Sequence, residues 1–503
     1  MTSDSDTTTR ARTLASAAII VLLFALQIAS MARYLDRPLD HDEAQYLHDG
    51  WLMHEGRQLY RDFEENHSPL LFALFSQLVP EPVTPAMPRL DVIRYAERAR
   101  VVIGICGLLA VAFLALVAWR LTGEPLAAAI VSLLLFSTGW TWRFGVSCAR
   151  NDPPSLLLFW AGAFLLLDRR RSERIDALLA GLGIGLVGVA ALWNPKWPLA
   201  TLVLLALFVV RARRQLVIAI LPPIALAAIT IAIIATHVTL RDYIFFTFRF
   251  NAALGEWFAR SPLVSEFWFE GETWRYCGLP FKGWIVACVL IAGIALPAVR
   301  ARLKATWLPF ALLAATFVEL RFLMSWPNIW PQYYLLWCCS AALVYAVIAT
   351  TLVRRNEVFV VALIAIGVIG AIRIPSPDPD LQPDGIRAWG RIAYVQQRLA
   401  PTDTVWLDAL AHPIAARDAT WYWYGLGDIV PFSLQYRELP RRTEADLPLC
   451  RAERGLEPSL RFVSIPPASL SESQKCLSRM MAAKRAARTP FRTVFYLPAV
   501  QQP

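Results

Sequence analysis

A tract shortly after residue 40 concentrates ionisable side chains. It reads His41-Asp42-Glu43-Ala44-Gln45-Tyr46, then Tyr60-Arg61-Asp62, then Glu64-Glu65-Asn66-His67-Ser68-Pro69-Leu70. Four of the six histidines (His41, His48, His54, His67) lie within 27 positions. Asp42 can accept a proton from a hydroxyl as a general base. Glu43 can support it, or share a divalent ion such as Mg or Mn with it, because hard cations favour carboxylates. A plainer alternative also fits: solvated loop charges, with Asp42 capping a helix that runs through Tyr46 and Trp51. A third rests on His41 and His48, which share a helical face seven residues apart and could hold zinc, though no recognised ligand spacing accompanies them.

Four further elements carry chemistry. Arg150-Asn151-Asp152-Pro153-Pro154 opens an apolar block, with Asp152 where a helix dipole favours a carboxylate; capping alone accounts for it, and a second acid is the functional alternative. Asn194-Pro195-Lys196-Trp197-Pro198 holds one of five lysines against forty-four arginines. Lys196 can snorkel at an interface or bind a phosphate as a point charge. The segment 241–279 sets Arg249, Arg260 and Arg275 among Phe and Trp residues, which suits an interfacial amphipathic helix, a phosphate clamp, or both. Last, Trp326-Pro327-Asn328-Ile329-Trp330-Pro331-Gln332-Tyr333-Tyr334-Leu335 is rich in the aromatic residues that anchor helices at an interface.

The elements that must position these residues follow from composition. The chain has 503 residues, 56% hydrophobic and only 17% charged, with a mean hydropathy of +0.45. Soluble domains carry about 25% charged residues, so the composition argues against an ordinary cytosolic enzyme. Apolar blocks long enough to cross a bilayer are predicted at about 14–31, 101–119, 125–141, 154–168, 176–193, 197–210, 216–238, 280–299, 305–323, 332–352 and 357–374, eleven in all. A cleaved signal peptide competes for the first, but that run is longer than a usual signal core. With the N-terminus in the cytoplasm, Arg120, Arg169–Arg171 with Arg174, Arg211/Arg213/Arg214, Arg300/Arg302/Lys304 and Arg354/Arg355 all fall inside, as positive charge should. The net charge of +10 therefore encodes orientation and not nucleic-acid binding.

All four chemistry-bearing elements and the first tract then fall on the extracytoplasmic side. So does the tail, predicted as a small α/β domain: a helix near 384–399, strands at 404–410 and 461–465, a helix near 470–487 and a strand at 492–497. The expected organisation is a transmembrane domain over 1–375, with a large first extracytoplasmic loop at 34–100, followed by 376–503. Cysteines in or beside apolar blocks (Cys106, Cys148, Cys288, Cys338) read as small buried hydrophobes. Cys450 and Cys476 share a polar region and can bridge if that region is extracytoplasmic.

The order of these elements resembles that of the type-C membrane glycosyltransferases (GT-C fold). The branch is that of protein O-mannosyltransferases, the lipid A aminoarabinose transferase and the galacturonosyltransferases of lipopolysaccharide core. The residues that carry the likeness are Asp42-Glu43-x-x-Tyr46 after the first helix, His67-Ser68-Pro69-Leu70, Arg150-Asn151-Asp152-Pro153 and Tyr333-Tyr334, within residues 14–374. Two departures stand out: Ser68 replaces a usual Pro, and Gln332 precedes the Tyr pair where some relatives have His. The resemblance implies a polytopic membrane protein of a bacterial inner membrane, with its active site on the periplasmic side. It implies inverting transfer of a sugar from a polyprenyl-phosphate donor to a lipid, glycan or protein acceptor. Asp42 would be the catalytic carboxylate, Asp152 a second acid, and His67 a cation near the lipid phosphate, with Lys196 or the loop arginines as further partners. Two other functions compete: a transporter or flippase of a lipid-linked sugar, which would favour ionisable groups in mid-membrane, and a glycan-binding scaffold using Trp421-Tyr422-Trp423-Tyr424.

Overall fold

The computed structural model describes residues 3–32, 35, 39, 41–63, 65–80, 89–137, 148–168, 172–253, 279–323, 331–353, 392, 394–400, 402–407, 412–418, 460–464, 487–488 and 494–496. It is largely helical. Four helices are long and apolar enough to cross a membrane, over Asp91–Thr122, Glu173–Trp193, Leu216–His237 and Gln332–Leu352. Six shorter apolar helices span Thr13–Ala29, Pro125–Phe136, Asp152–Leu167, Pro198–Ala212, Gly283–Ala295 and Leu308–Leu320. These ten fall on the first ten predicted spans; the eleventh, 357–374, lies outside the described residues. Large apolar side chains such as Leu14, Val21, Val217, Ile224 and Ile291 point outward, 57–80% exposed. Water would not tolerate such an apolar exterior and lipid would, so this is an integral membrane protein.

Proline sets many of the helix starts, since its fixed φ and missing N–H suit the first turn. It does so at Pro153, Pro198 and Pro297. Pro297 also explains one departure from expectation. The single span predicted at 280–299 ends at Ala295, and a second helix, Pro297–Ala305, follows it. The segment around 216–238 likewise divides into Leu216–Ala219 and Leu221–His237.

The chain forms two compact units, one of residues 1–34, 101–232 and 258–376, the other of 35–100, 233–257 and 377–503. In the first, α6 (Asp152–Leu167) and α7 (Glu173–Trp193) approach so closely that a Cβ on Gly162 would stand 2.4 Å from the Gly183 carbonyl. Small residues give membrane helices this close contact. At one end of this bundle Arg120 pairs with Asp168 at 2.8 Å and Arg211 with Asp176 at 3.1 Å. Arg211 also donates to the Leu165 carbonyl at 2.7 Å, satisfying the last turn of α6. Residues from three of the predicted inside loops therefore meet at one end.

In the second unit, α2 (His41–His54) packs against α3 (Pro69–Ser76). Helix α4 (Arg89–Thr122) begins about three turns before its apolar span and carries Arg100 into this unit. A π-helical turn covers Phe245–Phe250. The C-terminal part contributes a mixed sheet of β1 (Thr404–Trp406), β2 (Arg417–Asp418), β3 (Leu460–Ser464), β4 (Ala487–Arg488) and β5 (Val494–Tyr496), in the order β2-β1-β3-β5-β4. β1 pairs in parallel with β2 and β3, and β5 pairs antiparallel with β3 and β4. Three of these strands coincide with the predicted ones. β4 stands where the helix near 470–487 was expected to end. Val395, Val405, Leu407 and Ala416 form a small core beneath β1.

Candidate functional site

The acid pair at the start of α2 divides. Glu43 turns inward, fully buried, where Arg100 Nε and Nη2 donate to its two oxygens at 3.0 and 2.8 Å. Arg100 Nη1 donates to the Leu35 carbonyl at 2.7 Å, tying that residue to α4. With both oxygens held by a guanidinium, Glu43 is unsuited to share a divalent ion with Asp42. Asp42 is half-buried in the first turn of α2, where the helix dipole favours its charge.

One turn further along, α2 presents Tyr46 to His67. The phenol oxygen and His67 Nε2 are 3.2 Å apart, and the rings meet edge to face. His67 Nδ1 lies 2.5 Å from Glu65 Oε1, which also accepts the backbone N–H of Asn66 and of His67 at 2.7 and 3.1 Å. Gln45 Nε2 donates to the other Glu65 oxygen at 2.6 Å. Burial pushes the Glu65 carboxyl upward, but the His67 imidazole, the Asp49 side chain and the Asn66 N–H outweigh it and hold the group below the ordinary carboxylate value. Tyr60 clamps the segment from the other side. Its hydroxyl donates to the His67 carbonyl at 2.6 Å, its ring stacks on Phe246 of the π-helical turn at 4.5 Å, and its φ is +64°. Burial lifts the Tyr60 phenol well above its usual range, and the Glu65 charge adds to this. Asn66 and Asn251 exchange hydrogen bonds at 2.8 and 2.6 Å, fixing the end of the π-helical turn to the same loop.

In the other unit, Asp152 is 1% exposed at the first turn of α6. Asn194 Nδ2 and Lys196 Nζ donate to its Oδ1 at 3.0 and 3.1 Å. Lys196 also lies 5.1 Å above the Tyr333 ring, a cation–π contact. Arg150 is buried beside Asp152 in sequence, and Tyr334 is buried one position beyond Tyr333. The turn that presents Lys196 is fastened from α14 (Leu308–Leu323). Glu319 Oε1 accepts the N–H groups of Leu199 and Ala200 at 2.5 and 3.0 Å, the orphan donors of α8 (Pro198–Ala212).

Of the predicted site residues, Tyr46 and His67 meet in one unit, and Asp152, Lys196 and Tyr333 meet in the other. Arg249 lies on the π-helical turn with its side chain exposed. Arg260, Arg275, Cys450, Cys476 and Trp421–Tyr424 lie outside the described residues. His48 Nδ1 is 2.5 Å from the Ile414 carbonyl, and its ring is 4.3 Å from that of His412. Among the described residues, no group of three or more His, Cys, Asp or Glu side chains converges on a metal-sized site. Glu65, Arg100 and Glu319 were missed as positioning groups. The signal for Glu319 was available, since a carboxylate inside an apolar helix requires a partner.

No family model matches the chain, and no curated protein matches it. Among solved structures, the chain is similar to ArnT from Cupriavidus metallidurans, crystallised in the apo state. The identity is 17% and the TM-score 0.46, over 76% of this chain and 70% of that one.

Proposed function

We infer that this membrane protein is a glycosyltransferase that moves a sugar from a polyprenyl-phosphate donor to an extracytoplasmic lipid, glycan or protein. One observation carries this reading: residues singled out in separate sequence elements come together. Asp152, Lys196 and Tyr333, spread over 181 positions, form one contact cluster. Tyr46 and His67 form another.

The chemistry follows from the groups present. A polyprenyl phosphate leaves readily once its developing charge is offset. Two cations are each suited to this, Lys196 in one unit, its ammonium fixed by Asp152 and Tyr333, and His67 in the other, beside Tyr46; Arg150, Arg249, Arg260, Arg275 and Tyr334 are the further candidates from the sequence. Asp42 takes the proton from the acceptor hydroxyl or amine as the acceptor attacks the anomeric carbon. Attack from the face opposite the departing phosphate inverts that carbon. Glu43, bound to Arg100, keeps the first turn of α2 in place and so orients Asp42. Asp152 acts by holding Lys196. The active site and the C-terminal domain face the periplasm, with the arginine-rich loops in the cytoplasm.

The test uses protein reconstituted in nanodiscs with envelope lipid extract, following release of polyprenyl phosphate. Wild type releases it; Asp42→Asn and Lys196→Met, folded to the same extent, release less than about a hundredth as much, the scale of a lost acid–base or charge-stabilising group. Equal release by Asp42→Asn and wild type overturns the assignment of the base. A lipid-linked sugar moved across vesicles without release of polyprenyl phosphate would make the protein a transporter.

A further inference from the structure

Glu65 has its side chain fully withdrawn from solvent, two residues from a histidine whose side chain is 26% exposed. Burying a carboxylate is costly unless its hydrogen bonds are filled, and an apolar residue would pack the same space without that cost. Here they are filled from three directions: Gln45 on α2, the N–H groups of Asn66 and His67, and the imidazole itself. The Asp49 side chain also hydrogen-bonds Glu65.

An ionised carboxylate only accepts, so the His67 nitrogen facing it at 2.5 Å carries a proton. Which imidazole nitrogen holds the proton is set by the partner of the other, and this contact fixes it on Nδ1. Nε2 is left facing the Tyr46 hydroxyl at 3.2 Å. In neutral His67 it accepts the phenolic proton; in the imidazolium it becomes a second N–H donor. The backbone is pinned as firmly. Tyr60 holds the His67 carbonyl from a left-handed conformation that a tyrosine adopts only where its surroundings enforce it. The titratable groups around His67 are thus Glu65 with Asp49 behind it, Tyr46 and Tyr60.

We propose that Glu65 is a positioning residue: its carboxylate takes the Nδ1–H of His67 and so aims Nε2, which in the imidazolium donates its own proton, together with the Tyr46 hydroxyl, to an anionic oxygen of a polyprenyl phosphate. This assignment rests on the proposed reaction for the identity of the anion, but not for the geometry of the imidazole.

Full-length protein in nanodiscs with 15N-labelled histidine gives both readouts, with the His67 signals assigned by their loss in His67→Gln. Nitrogen chemical shifts report which imidazole nitrogen carries the proton, and undecaprenyl phosphate is the binding probe. The expected wild-type pattern has a proton on Nδ1 in the free protein and on both nitrogens once undecaprenyl phosphate is bound. In Glu65→Gln, where no carboxylate holds the Nδ1 proton, that proton is lost, the ring is not doubly protonated on binding, and undecaprenyl phosphate binds about tenfold more weakly, the equivalent of one charge-assisted hydrogen bond. Glu65→Asp, which keeps the carboxylate, recovers most of the affinity. Wild-type His67 with a bare Nδ1, or Glu65→Gln with unchanged shifts and affinity, overturns the proposal. If wild type shows the Nδ1 proton, lost in Glu65→Gln, but does not bind undecaprenyl phosphate, Glu65 retains its positioning role and the glycosyltransferase reading fails.

Discussion

Replacing Glu43 with Ala should cost the protein about 3–5 kcal/mol, the usual consequence of removing one partner of a buried ion pair. The side chains of Glu43 and Arg100 are 0% and 1% exposed. After the substitution the guanidinium keeps the Leu35 carbonyl at 2.7 Å, but loses a bidentate anion at 2.8 and 3.0 Å. Water cannot readily reach the space to replace it. The penalty belongs to the stranded charge rather than to the bond, which makes a sharp control available. Glu43→Leu combined with Arg100→Met removes both charges while keeping much of the volume, and should recover most of the loss. The assay is denaturant unfolding in mild detergent, followed by tryptophan fluorescence, with folding equilibria differing by about 10²–10⁴ between wild type and Glu43→Ala. A loss below about 1 kcal/mol, as an exposed pair would give, refutes the buried pairing. So does a double variant no more stable than Glu43→Ala.

Three further outcomes are expected. Lys196→Arg should not restore the activity lost in Lys196→Met, because a planar fork cannot reproduce an ammonium held between Asp152 Oδ1 and the Tyr333 ring; polyprenyl-phosphate release measures it. Glu319→Ala should lower stability by about 2–4 kcal/mol through two lost bonds to the α8 N–H groups, whereas Glu319→Gln, which retains an acceptor, should lose about half of that; thermal unfolding in detergent reads both. Because the folded Glu65 carboxyl lies below its ordinary value, its contribution is fully present above roughly pH 4.3 and is lost as pH falls through the lowered value. Glu65→Gln should therefore flatten the acid limb of the stability–pH profile below about pH 4.

Much of the fold was legible because hydropathy acts locally. Ten apolar helices stand where apolar blocks predicted them, and Pro153 and Pro198 start helices for a reason contained in a single residue. The break at Pro297 was legible too, but the apolar run across it hid the signal. The site was legible in its parts and not in its pairings. Asp42 and Glu43 are alike in the sequence, and only Arg100, 57 positions beyond Glu43, separates a buried structural acid from a half-buried one. Glu65 read as one charge in a crowded loop, since nothing local tells that it faces an imidazole two residues on. The strain at Tyr60 and the π-helical turn at Phe245–Phe250 depend on stacking between residues 186 positions apart, which no periodicity records.

Sugar transfer with Asp42 as the base is read out by mass spectrometry of envelope lipids and glycans. Matched cells would carry the intact gene, a deletion, or Asp42→Asn expressed at equal level. One glycan or glycolipid is expected to lose a single sugar mass in both the deletion and the mutant, which identifies sugar and acceptor together. If Asp42→Asn supports every species that the intact gene does, Asp42 is not the base.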